Sequence, residues 1–97
     1  VSYMMSRGLG MRLSQVGLRV LKGLRGRHGF RLCGYDLMQA TGVASGTLYP
    51  LLRRFDAGAW LASEWEKADP TEEGRPLRRM YRLTDAGQRA VSQRLGE

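Results

Sequence analysis

The chain has one cysteine, Cys33, and one histidine, His28. No internal disulfide can form, and Cys and His cannot supply a metal-ligand set between them, so no cofactor is expected. Cys33 reads as a small buried hydrophobe. No apolar run reaches the length of about eighteen residues that a membrane helix needs. The N-terminus also lacks the apolar block and small residues of a secretory signal. A cytoplasmic location with no membrane partner is the expectation. Acids are missing from the whole first third. Arg7, Arg12, Arg19, Lys22, Arg25, Arg27 and Arg31 precede the first acid, Asp36, so this segment alone carries the net charge of +7. Beyond it the two signs cancel. A one-sided basic surface attracts polyanions, because each neutralised phosphate releases condensed counterions. The same term attracts a membrane surface, so charge gives a class of partner and not its identity.

What is present is organised around Ala44 to Phe55. Leu48, Leu51, Leu52 and Phe55 recur at the i, i+3, i+4, i+7 spacing of a helix with one buried side. Gly46, Pro50, Arg53 and Ala57 point away, flanked by Tyr49 and Arg54. Such a face can enter a groove closely, although an ordinary core helix with solvated arginines shows the same pattern. The neighbouring segments decide between these readings.

Residues 1–10 lack a helical period and are read as a flexible basic arm, and residues 11–97 as a single domain. Leu13, Val16, Val20, Leu21 and Leu24 make one stripe, with Gly17 inside it where another helix can come close and Ser14 as a candidate cap. Met11 and Leu18 fall on the opposite side and, with Leu95, form a candidate subunit contact. Gly23 to Gly29 reads as a turn, with His28 exposed, and Phe30 to Leu32 as an edge strand. Tyr35 to Ala40 is expected to be a brief helix with Leu37 and Met38 on its buried side and Tyr35 either inward or outward, closed by Gly42 in the left-handed position. Two short helices joined so tightly are a helix-turn-helix signal, over about 34–58.

Trp60 to Glu66 and Arg78 to Leu83 alternate as strands do, around a polar stretch, Lys67 to Leu77, read as a loop. This hairpin, over about 60–83, reads as the wing of a winged helix. Arg75, Arg78 and Arg79 lie at or near its tip, where they either reach phosphates or pair with Glu66, Glu72 and Glu73. Thr84 and Asp85 open a last helix over about 84–96, in which Gly87, Val91 and Leu95 share a stripe. The fold class is mainly α with a small β-hairpin, a winged helix-turn-helix domain. With a lone His, a lone Cys and acids confined mostly to the wing and strand ends, no nucleophile-base pair or carboxylate pair emerges, so the chain is not read as an enzyme.

Gly34-Tyr35-Asp36-Leu37, Gly46-Thr47-Leu48-Tyr49-Pro50-Leu51-Leu52-Arg53-Arg54, Ser63-Glu64-Trp65-Glu66 and Tyr81-Arg82-Leu83-Thr84-Asp85-Ala86-Gly87 together resemble the PadR family of bacterial transcriptional regulators. The Gly-Thr-Leu-Tyr-Pro run is the specific part, and Leu-Thr-x-x-Gly is widely shared. The resemblance implies a repressor-like protein that binds a roughly palindromic operator in double-stranded DNA as a homodimer. It places the helix from Ser45 to Ala57 in the major groove, and implies that Thr47, Tyr49, Arg53 and the wing arginines touch DNA. The candidate DNA contacts are therefore Ser45, Thr47, Tyr49, Arg53 and Arg54 on the helix, and Arg75, Arg78 and Arg79 on the wing. The alternative is a protein–protein interaction module with only nonspecific DNA binding. A small-molecule effector has room in such a fold, but no residue pattern indicates one.

Several positions depart from the family pattern. Ala44 stands where a capping Ser is usual, so Ser45 or Thr47 is expected to cap instead. Phe55 and Asp56 replace the usual Leu and Glu. Gly58 comes one position before the usual Gly, which Ala59 occupies. The chain is read as a short form, because family members usually continue into a dimerisation helix and only Ser92 to Glu97 remain here.

Overall fold

The computed structural model describes residues 12–25 and 31–97. The expected basic arm, Met11, His28 and Phe30 lie outside the described residues. The first helix, α1 (Gln15–Leu24), is capped by Ser14, whose Oγ accepts the Gly17 N–H at 3.0 Å. It continues through Gly23, where the sequence suggested a turn. Val20, Leu21 and Leu24 are buried, as their stripe requires. Leu18 is buried too, only 7% exposed and part of the same cluster, which corrects its expected place in an exposed subunit contact. The reason is that the domain wraps more than half of α1, so the apolar stripe is wider than one line of residues. Gly17 admits a close neighbour as expected: a Cβ there would lie 2.9 Å from Cζ of Phe55.

A two-residue strand, β1 (Leu32–Cys33), leads into α2 (Gly34–Thr41). Gly42 ends α2 with φ 74°, and its N–H bonds the Met38 carbonyl at 2.8 Å. Thr41 Oγ1 donates to the Leu37 carbonyl at 2.6 Å and accepts the Val43 N–H at 3.2 Å, which bends the chain toward the next helix. Leu37 and Val43 are buried and Met38 packs against the core, but Tyr35 is 58% exposed and points away from it. Position 35 lies in the first turn of α2, at the rim of the domain, where the core has already ended.

Helix α3 (Ser45–Ala57) follows after three residues, completing the helix-turn-helix. Its N-cap is Ala44, and no side chain caps it. Neither Ser45 nor Thr47 takes the expected capping role; both already lie within the first turn. The Ala44 carbonyl instead accepts from Thr47 at 3.0 Å and Leu48 at 2.8 Å, and the exposed first N–H groups are left to solvent or ligand. Pro50 sits inside the helix, so the Gly46 carbonyl lacks the usual amide partner. Leu48, Leu52 and Phe55 are fully buried, each contributing about 1.5–3 kcal/mol by leaving water.

Strands β2 (Leu61–Trp65) and β3 (Arg79–Leu83) form the hairpin, antiparallel, with Ser63 opposite Tyr81 and Trp65 opposite Arg79. β1 adds to the other side of β3, giving the order β1-β3-β2. The connection expected to be only a loop contains one helical turn, α4 (Pro70–Glu73). Asp69 caps it through the Thr71 N–H at 2.9 Å, with Pro70 at the first position, where a missing N–H costs nothing. Helix α5 (Asp85–Leu95) closes the core. Thr84 caps it through the Gly87 N–H and donates to the Ala59 carbonyl at 2.6 Å, which ties the α3–β2 turn to the start of α5. At the far end Glu97 pairs with Arg25, joining the ends of α5 and α1.

Candidate nucleic-acid interface

The buried stripe of α3 decides which side of the helix is on offer. With Leu48, Leu52 and Phe55 locked inward, Ser45, Thr47, Tyr49, Arg53 and Arg54 are all exposed. The first turn presents small residues, Ser45, Gly46 and Thr47, so a groove can approach the backbone there. Arg54 leans back over Phe55, its guanidinium 5.9 Å from the ring centroid. It flanks the outward face and Arg53 stands on it. Tyr49 is held by contact with Gly34, so its phenol forms a wall between α3 and α2.

The hairpin turns one face toward α3. Period-two alternation puts Ser63 and Trp65 on the same side of β2, and the register brings Tyr81 and Arg79 of β3 onto that side. Ser63 Oγ donates to Asp56 Oδ2 on α3 at 2.5 Å and accepts the Arg79 Nε–H at 3.2 Å. The Arg79 guanidinium lies over the Trp65 ring, 5.2 Å from its centroid. Burial pushes the Tyr81 hydroxyl above its ordinary pKa, with the Asp56 charge adding to the rise and Arg79 opposing it. Between α2, α3 and the wing runs an open groove of about 350 Å³, lined by Tyr35, Tyr49, Tyr81, Arg78 and Arg79 among others. A second, largely apolar groove of about 380 Å³ follows the other flank of α3, past Thr47, Pro50 and Arg54 to Ser14 and Val16 of α1.

The three wing arginines separate into different roles. Arg75 turns back into the hairpin, its Nη1 donating to Glu66 Oε1 at 2.5 Å and its Nη2 lying 3.2 Å from Glu73. Glu66 also accepts the backbone N–H of Arg78 at 3.0 Å. The Arg75 hydrogen bond, ahead of the other causes, holds the Glu66 carboxyl below the usual glutamate range, and Glu66 in turn raises the Arg75 pKa. Arg75, counted among the candidate contacts, is thus occupied in a clasp that shapes the wing. Arg78 is exposed at the wing, and Arg79 is half-buried against Trp65.

The structure therefore brings Tyr49, Arg78 and Arg79 around one groove, with Arg53 near enough to act on Tyr81 in its wall, whereas Thr47 and Arg54 line the groove on the other flank of α3 and Ser45 is exposed in its first turn. Sequence reasoning missed Tyr35, Asp56, Ser63 and Trp65 as parts of this surface. The alternation of β2 already placed Ser63 and Trp65 together, but their link to Arg79 depends on a hairpin register that the intervening polar stretch conceals. Among the described residues no group of three or more His, Cys, Asp or Glu side chains can hold a metal ion. No described helix is long and apolar enough to cross a membrane.

Known proteins share this fold. The chain is 40% identical over 67 residues to the transcriptional regulator Rv3488 of Mycobacterium tuberculosis, a match covering 69% of this chain and 48% of that protein. It thus spans about half the length of that curated relative. A PadR family transcriptional regulator from Eggerthella lenta superposes with a TM-score of 0.68 at 29% identity, covering 98% of this chain and 78% of that one. The Bacillus subtilis PadR solved in complex with operator DNA shares the fold, with a TM-score of 0.66 at 20% identity over 80% of this chain and 46% of that chain. Residues 18–93 match the sequence pattern of the PadR-like transcriptional regulators from the middle of α1 to near the end of α5, and the chain belongs to that family.

Proposed function

We propose that this chain binds double-stranded DNA sequence-specifically and regulates transcription as a repressor, a homodimer seated on a palindromic operator. The observation that carries this reading is the groove in which Tyr49 of α3 meets Arg78 and Arg79 of the wing, beside an α3 face on which Thr47 and Arg53 are exposed. Two copies would place their α3 helices in successive major grooves, roughly 34 to 36 Å apart, and occlude a promoter. The basic first third supports the reading through sequence-independent attraction to phosphates. That a Bacillus subtilis relative of the same fold was solved with operator DNA supports it further.

Base selection falls to Ser45, Thr47, Tyr49 and Arg53. Arg53 is the residue suited to a guanine edge, a contact worth about 1–3 kcal/mol of discrimination. Arg54, Arg78 and Arg79 contact phosphates, while Arg75 supports them by holding the wing.

Selection of bound sequences from a random duplex pool tests the reading. A regulator enriches two inverted half-sites about one helical turn apart, whereas a module that only binds proteins enriches nothing. Arg53→Ala should flatten the preference between operator and scrambled duplex. Arg79→Ala should weaken both duplexes alike and lower the salt dependence by about one phosphate's share. Equal losses for both variants on both duplexes would remove this division of labour.

A further inference from the structure

Arg79, unlike Arg75, is oriented without an acid of its own, and three residues outside the candidate contacts, Asp56, Ser63 and Trp65, set it. Ser63 has one hydroxyl proton, and that proton is committed to the Asp56 carboxylate on α3 at 2.5 Å. With its proton spent there, the Ser63 oxygen has only lone pairs to offer Arg79, and it accepts the Nε–H at 3.2 Å. Both bonds involve a charged partner, so each polarises the other. The Trp65 ring closes the remaining freedom by lying under the guanidinium. Among the described residues neither Nη of Arg79 has a hydrogen-bond partner, so the outer edge of the fork is unspent. The chain of contacts begins on α3 and ends on the wing, and it crosses no part of the apolar core.

We propose that Asp56 and Ser63 are positioning residues that act through Arg79, fixing its guanidinium relative to α3 so that helix and wing meet DNA as one preformed surface. The proposal rests on the DNA-binding reading above. Its physical content is that the order needed to engage a phosphate is set before binding, which removes part of the cost of immobilising a long side chain. A serine that merely stabilised the hairpin would act independently of Arg79. A positioning serine has no effect once Arg79 is gone.

The test is a double-mutant cycle on the full chain, using the duplex enriched from the random pool. Ser63→Ala should weaken binding about three- to tenfold and leave the salt slope intact, since no charge is removed. Ser63→Thr should restore affinity, and Asp56→Ala should reproduce the Ser63→Ala loss. The variant carrying both Ser63→Ala and Arg79→Ala should bind no worse than Arg79→Ala alone. Losses that multiply would overturn the proposal. In the free protein, the Arg79 Nε–H should give a slowly exchanging resonance by 15N NMR that is lost in Ser63→Ala and kept in Ser63→Thr. Absence of that resonance in the unaltered chain overturns the relay while leaving DNA binding in place. A resonance that behaves as expected in a chain that enriches no duplex overturns the DNA-binding reading, and the role of Asp56 and Ser63 in it.

Discussion

The phenol of Tyr49 fills the space in which a side chain at position 34 would stand: Cε1 and Cζ of Tyr49 each lie 2.6 Å from where a Cβ on Gly34 would be. The first residue of α2 is thereby the floor on which a residue of α3 rests. Gly34 and Tyr49, distant in sequence, are one packing unit.

Gly34→Ala must displace Tyr49 and is expected to cost about 1–3 kcal/mol, as inserted methyl groups do at close-packed positions. Combining it with Tyr49→Ala should cost less than the sum of the two changes, because the clash is gone. Urea denaturation of the four proteins measures this. An unchanged midpoint for Gly34→Ala would show that Tyr49 moves aside freely.

Ala59 carries a φ of 64°, the one described non-glycine residue in the left-handed region, while Gly58 beside it has an ordinary φ of −87°. The glycine therefore stands one place early. Ala59 stays strained at roughly 1–2 kcal/mol because Thr84 and Trp60 hold the turn by hydrogen bonds. Ala59→Gly should raise stability by up to about 1 kcal/mol after the added chain entropy is subtracted, and Gly58→Ala by about 0.4–1 kcal/mol. A fall in melting temperature for either variant would contradict this account.

The Glu66–Arg75 clasp predicts a pH response. The folded-state pKa of Glu66 is lowered, first by the Arg75 hydrogen bond. Its stabilising effect is therefore fully present above the ordinary glutamate value of about 4.3, and is lost as pH falls through the lowered folded value. Glu66→Gln should lose less stability than the unaltered protein between neutral pH and pH 3 (about one unit below the ordinary value). Thermal melts across that range measure the difference, and parallel profiles would remove Glu66 from the acid response.

Leu18 belongs to the core and not to an outer strip. Leu18→Ala is expected to destabilise the isolated domain by about 2–5 kcal/mol, an effect readable by denaturation at any protein concentration. A concentration-dependent loss would return Leu18 to a subunit contact.

The parts of the fold legible in the sequence were those fixed by local patterning. The stripe of Leu48, Leu52 and Phe55, the cap at Thr84 and the left-handed Gly42 each follow from spacing or backbone chemistry within a few residues. Tertiary context decided the rest. Leu18 looks peripheral on a helical wheel and is buried because the domain surrounds α1, whereas Tyr35, whose direction the pattern leaves open, lies beyond the edge of the core. No side chain caps α3, since Ser45 and Thr47 are inside the helix that either was expected to start. For the candidate site, the outward face of α3 was readable. The separation of Arg75 from Arg78 and Arg79 was not, because three nearby arginines and three nearby acids are interchangeable until the register of β2 against β3 selects pairs.

That register also orders events in time. The β2–β3 pairing joins segments separated by one short connection, while β1 reaches β3 by pairing Leu32 with Tyr81 across the whole helix-turn-helix and wing. Loop closure costs more for the second pairing, so the hairpin is expected to form first and β1 to dock onto a strand already half satisfied. A protein assembled in that sequence would have a late, detachable edge: in stopped-flow chevron measurements Leu32→Ala should speed unfolding and leave the folding rate almost unchanged.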